Sequence, residues 1–124
     1  MASSYFYQNF QSKEANITKL YLRADIGASG APTLDTDDSK GIASIARTAT
    51  GDYTITLDEA YNKHLHTSVT LIEADDTDLQ IQVAATDVSS AKTIQIICTA
   101  AATPADPPDG SDLTMEITLK NTSV

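Results

Sequence analysis

Thr50-Gly51-Asp52-Tyr53-Thr54-Ile55-Thr56-Leu57 joins a tight turn to a strand of alternating polarity. Tyr53, Ile55 and Leu57 fall on one side of it, Thr54 and Thr56 on the other. A period of two is the signature of an extended chain, because successive side chains point to opposite faces. The pattern recurs to the end of the chain. Leu79, Ile81 and Val83 alternate with Gln80 and Gln82, and Leu113, Met115, Ile117 and Leu119 alternate with Thr114, Glu116, Thr118 and Lys120. Strands that are apolar on one face only must stack in pairs of sheets or close on themselves, with antiparallel neighbours. The expected fold class is therefore all-β, an antiparallel β-sandwich or barrel-like domain.

Reading outward from that strand places about seven strands, at roughly 10–15-residue spacings. They cover residues 16–26, 42–48, 53–57, 67–73, 78–84, 93–100 and 113–120. In the first, Leu20, Leu22, Ala24 and Ile26 alternate with Tyr21, Arg23 and Asp25. Residues 58–65 break the period: Asp58 is a candidate N-cap, and Tyr61 and Leu65 share a helical face, so one short helix is expected there. Residues 27–41 read as a long acidic loop holding Gly27, Gly30, Pro32, Asp35, Asp37 and Asp38, a length that usually signals function or a partner. Thr103-Pro104-Ala105-Asp106-Pro107-Pro108-Asp109-Gly110 reads as a stiff loop, unsuited to a central strand. The organisation is one β domain over 16–124 preceded by an extended arm over 1–15. Tyr5, Phe6, Tyr7 and Phe10 crowd into that arm, although the whole chain holds only five tyrosines and two phenylalanines. Aromatics give large contact area at low entropy cost, so these four are the candidate partner-binding residues.

Charge narrows the partners. A net charge of −9 argues against nucleic acid and against an anionic membrane surface. The first residues carry neither a basic region nor an apolar stretch of secretory type, so the chain is expected to fold in a cytoplasm. Cys98, the single cysteine, sits among Ile96, Ile97 and Thr99, where a buried and inert thiol is expected.

Chemistry is sparse. His64 and His66 have the spacing of two zinc ligands on one strand face, but no third histidine and no second cysteine completes the set. Counting from Asp35, an EF-hand would need Gly where Lys40 stands and Glu where Ala46 stands. No Gly-x-Ser-x-Gly elbow and no glycine-rich phosphate loop is present. No catalytic residue, cofactor or metal is expected, and the chain is not read as an enzyme. A sugar-binding platform would have to rest on Tyr53 and Tyr61.

Several segments together point to a family. They are Gly41-Ile42-Ala43-Ser44-Ile45-Ala46-Arg47, Thr50 to Tyr61, Asp87-Val88-Ser89-Ser90 with Thr93-Ile94-Gln95-Ile96, Asp106-Pro107-Pro108-Asp109-Gly110, and the closing Leu119-Lys120-Asn121-Thr122-Ser123-Val124. From about residue 41 to 124 the chain resembles small virion structural proteins of tailed bacteriophages, in particular capsid decoration or cement proteins. The resemblance implies a homotrimer, made in the host cytoplasm, that braces major capsid protein subunits on the surface of the head. It leaves open a neck, tail or fibre component, and a carbohydrate-binding host-recognition module is the alternative of another class. The arm and the 27–41 loop carry no part of the resemblance.

Overall fold

A computed structural model describes residues 16–74 and 78–121. The strands among them are β1 (Ile17–Ile26), β2 (Pro32–Leu34), β3 (Ile42–Ala49), β4 (Asp52–Leu57), β5 (Lys63–Ile72), β6 (Leu79–Asp87), β7 (Thr93–Ala100), β8 (Thr103–Pro104) and β9 (Asp112–Lys120). They form two antiparallel sheets, ordered β2-β1-β9-β5 and β3-β4-β7-β6, with β8 also paired to β7. The expected sandwich is the fold, and the seven strands read from the sequence are β1, β3, β4, β5, β6, β7 and β9. The other two, β2 and β8, are only 3 and 2 residues long.

The alternation sorts side chains as the sequence requires. Leu20, Leu22, Ala24 and Ile26 of β1 and Leu113, Met115, Ile117 and Leu119 of β9 face Tyr53, Ile55 and Leu57 of β4 and Ile94, Ile96 and Cys98 of β7, all buried. Each large apolar side chain in this layer contributes about 1.5–3 kcal/mol by leaving water. The four central strands hold most of the core, joined by Ile42 and Ile45 of β3 and by Tyr61 and Val88, while the inward residues of β5 and β6 (Val69, Leu71, Ile81 and Val83) are only partly covered.

Two sequence expectations are corrected. Residues 58–62 form bends, not a helix, and β5 has already begun at Lys63. The segment must cross between sheets in a few residues, too few to repay helix nucleation. Its amides find tertiary acceptors instead: Asp58 N–H donates to Gly41 O at 3.0 Å and Tyr61 N–H to Val88 O at 2.9 Å. Tyr61 still plugs the end of the sandwich, buried beside Val88. The one helical piece among the described residues is a 3-10 turn at Ala28–Gly30.

Residues 27–41, read as a loop, contribute that turn and then β2, which pairs Leu34, Thr33 and Pro32 with Ala24, Asp25 and Ile26. Past β2, Asp35 N–H donates to Arg23 O at 2.8 Å. The buried Ser39 hydroxyl accepts from Arg23 N–H at 2.9 Å and donates to Arg23 O at 3.2 Å. The segment thereby finishes the edge of β1.

Candidate functional site

The densest set of polar contacts ties three loops together. β3 and β4 are joined through Thr50 and Gly51, with Gly51 at φ 73°. Gly51 faces β7, where its carbonyl accepts from Cys98 N–H at 2.7 Å, and a side chain there would press on Cys98 O. Directly beside it, the loop after β8 presents Asp106. Arg47 grips this carboxylate with two prongs, Nε to Oδ1 and Nη2 to Oδ2, both at 2.9 Å. Gly51 N–H also donates to Oδ1, at 2.8 Å. Tyr53, 0% exposed, sends its hydroxyl to Gly30 O at 2.7 Å.

The electrostatics follow from these contacts. Hydrogen bonds from Arg47 hold the Asp106 carboxyl below the usual aspartate range, and Gly51 N–H adds to the effect. Burial pushes the Tyr53 phenol far above its ordinary value, and the nearby Asp106 charge acts in the same direction. This is an arrangement that locks loops. Its acid is clamped by Arg47 and Gly51, and its tyrosine is enclosed, with the hydroxyl 3.5 Å from Asp106 Oδ1.

The residues singled out by chemistry do not converge. A bulge separates His64 and His66, so they do not share a simple strand face. His64 Nε2 meets Thr67 Oγ1, and His66 Nε2 meets Ser68 Oγ at 2.9 Å. Burial, with His66 second, lowers the His64 pKa. Asp35 caps its own turn, its Oδ1 accepting from Asp37 N–H at 3.1 Å. Among the described residues no three histidine, cysteine or acidic side chains come together as a metal site. Cys98 is 0% exposed, and burial pushes its thiol up to about 11. Tyr53 and Tyr61, the two residues a sugar platform would have used, are 0% and 6% exposed, so that platform is absent. Tyr5, Phe6, Tyr7 and Phe10 lie outside the described residues.

Surfaces remain. The outer face of the β1-β9-β5 sheet is polar, yet Tyr21 is 55% exposed there, beside a shallow 250 Å³ depression lined by Ser68, Thr70, Thr114, Met115 and Glu116. Tyr21 carries its own sequence signal, because it is the aromatic set out of phase between the core residues Leu20 and Leu22. On the same face Asp25 lies across from Asp112. The hydrogen bond between their carboxyls raises the Asp25 pKa, while Arg23 Nη2 contacts Asp112 Oδ2 at 2.8 Å. An open groove of 490 Å³ runs between β1, the 37–41 segment and the 59–61 bend, with Lys19, Lys40, Asp37, Asp38 and Glu59 around it. No helix of the described residues is long and apolar enough to cross a membrane. No family model, no curated protein and no solved structure matches this chain.

Proposed function

We propose that this chain is a non-enzymatic structural protein of a phage virion, a capsid decoration protein that binds the assembled head shell and stabilises it. The observation that carries the reading is how the aromatic residues divide. Tyr53 and Tyr61 belong to the core and Tyr21 stands on a sheet face. The other four, Tyr5, Phe6, Tyr7 and Phe10, precede β1 in a single short segment. A sandwich whose loops are clamped by Arg47 and Asp106, preceded by an aromatic-rich arm, suits a protein that acts through contact surfaces. The resemblance carried by residues 41–124 supplies the virion as the place for those contacts.

The mechanism is mass action. A subunit that binds the assembled shell and not the free capsid protein stabilises the shell by the free energy of binding, and symmetry multiplies many modest contacts. The acidic surface fits this role, since it discourages clumping of particles and binding to free nucleic acid. The test is binding of the purified chain to assembled shells and, separately, to unassembled capsid protein. Saturable binding to shells alone, with a raised shell-disruption temperature, is the expected result. Binding to neither overturns the reading.

A further inference from the structure

The outer face of the β1-β9-β5 sheet combines apolar exposure with balanced charge. Residues directly across from one another in an antiparallel pair share a face. Register sets Tyr21 across from Glu116 and Glu116 across from Ser68; further along, Asp25 lies across from Asp112 and Asp112 across from Ile72. Tyr21 and Ile72 are the two large apolar side chains left exposed among the described residues, at 55% and 49%, and both stand on this face. Its charges are already matched: Lys19 meets Glu116 at 2.7 Å and Arg23 meets Asp112 at 2.8 Å. With Asp25 added, two cations stand against three carboxyls. The whole chain carries −9, so nearly all of the excess acid belongs to its other parts.

We propose that this face pairs with a second copy of the chain, about a two-fold axis that passes between Tyr21 and the 250 Å³ depression beside it. Charge selects the occupant. Two copies of an acidic chain repel, and a contact through the balanced face brings the fewest like charges together. A cationic protein would be drawn to the acidic parts instead. Shape agrees. In a two-fold contact residue i meets j and j meets i, so each Tyr21 ring enters the depression of the other copy. The polar groups there are already satisfied within the chain: Thr114 Oγ1 donates to Thr70 O at 3.1 Å, and Ser68 Oγ meets His66 Nε2 at 2.9 Å. Covering them therefore strands few unpaired donors or acceptors. A sugar would need those same groups free.

Size sets the strength. Three strands at a spacing of about 4.8 Å, along the 9 residues of β9, make a patch of roughly 14 by 30 Å. Two such patches bury roughly 800 Å² in total, at the weak end of specific interfaces, so a dissociation constant on the order of 0.1–1 mM is expected. The pairing is two-fold, distinct from the homotrimer that the resemblance implies, and it stands apart from the virion reading.

Sedimentation of the full chain from about 10 µM to about 2 mM tests it, a range that brackets a weak contact. The mass is expected to climb from monomer toward dimer, and to climb further at about 0.5 M salt than at about 0.05 M, because screening removes the repulsion between acidic copies. Tyr21→Ser is expected to raise the midpoint concentration about tenfold, the effect of losing one central aromatic contact. Should that variant fail to fold, magnetisation transfer in a mixture of labelled and unlabelled unaltered chain decides instead: Tyr21 ring protons contact the Thr70 or Thr114 methyls of the other copy. A mass that stays monomeric throughout overturns the proposal. So does association that Tyr21→Ser leaves unchanged or that salt weakens, and so does a mixture in which Tyr21 touches nothing on the other copy.

Discussion

Asp106 and Arg47, 59 residues apart, meet through two parallel hydrogen bonds of 2.9 Å, and the same carboxylate takes the amide of Gly51. The side chains keep 30% and 19% of their surface for Arg47 and Asp106, so the ion pair alone is worth little. The clamp acts through the sum of its contacts on the β3–β4 turn. Asp106→Ala leaves Gly51 N–H and Arg47 without their acceptor and lowers stability by about 1–3 kcal/mol in denaturant unfolding. The sign of its pH dependence follows from the depressed carboxyl. Its contribution is fully present above the ordinary value of 3.8 and is lost as pH falls through the lower folded value. In Asp106→Asn this part of the acid limb disappears.

Glycine substitutions separate crowding from backbone strain. A Cβ on Gly30, at φ +75°, would lie 2.5 Å from Asp106 Cγ and 2.8 Å from the Tyr53 hydroxyl. Gly110, at φ +89°, has nothing within 4 Å. Gly30→Ala is therefore expected to cost about 3 kcal/mol and Gly110→Ala about 1 kcal/mol. Equal costs, measured by thermal or chemical unfolding, would show that the loops are not packed as described.

The hairpin between β7 and β8 turns on Ala101 and Ala102, at φ 50° and 65°. Two consecutive left-handed residues are what Asn-Gly provides at low strain and Ala-Ala does not. Ala101→Asn with Ala102→Gly is expected to raise stability by about 1 kcal/mol. An unchanged or lower unfolding midpoint contradicts the turn geometry.

Much of this architecture was legible from polarity alone. The alternation at Leu113, Met115, Ile117 and Leu119 is that of a half-buried strand, and it is one. What escaped depends on contacts distant in sequence. Tyr61 and Leu65 have helical spacing, but tertiary acceptors at Gly41 and Val88 claim the backbone of that segment. β2 could not be read from Pro32, Thr33 and Leu34, because only the neighbouring β1 makes them a strand. The Asp106 clamp left no local signal: its partners lie at Arg47 and Gly51, and an Asp in a Pro-rich loop looks solvated. Tyr53 and Tyr61 were candidate sugar contacts by residue type, whereas the inward phase of Tyr53 with Ile55 and Leu57 already argued for burial.

Alkali and thiol reagents probe the core directly. Tyr53 holds its proton above its ordinary value, so its contribution is complete below pH about 10 and is lost as pH rises beyond that. Tyr53→Phe flattens this alkaline limb and, by removing the bond to Gly30 O, lowers neutral stability by about 1–2 kcal/mol. Cys98, pushed up to about 11 and enclosed, reacts with a disulfide reagent only as the fold opens. Its labelling rate rises in step with denaturant, and fast labelling of the native chain contradicts the packing of β7.

Counting copies tests the central claim most directly. Quantitative mass spectrometry of purified particles, with the density located by cryo-microscopy, is expected to find this chain at a copy number of the order of the major capsid protein, on the outside of the head. A small fixed number at the neck, tail or fibres, or absence from the particle, would contradict the decoration reading.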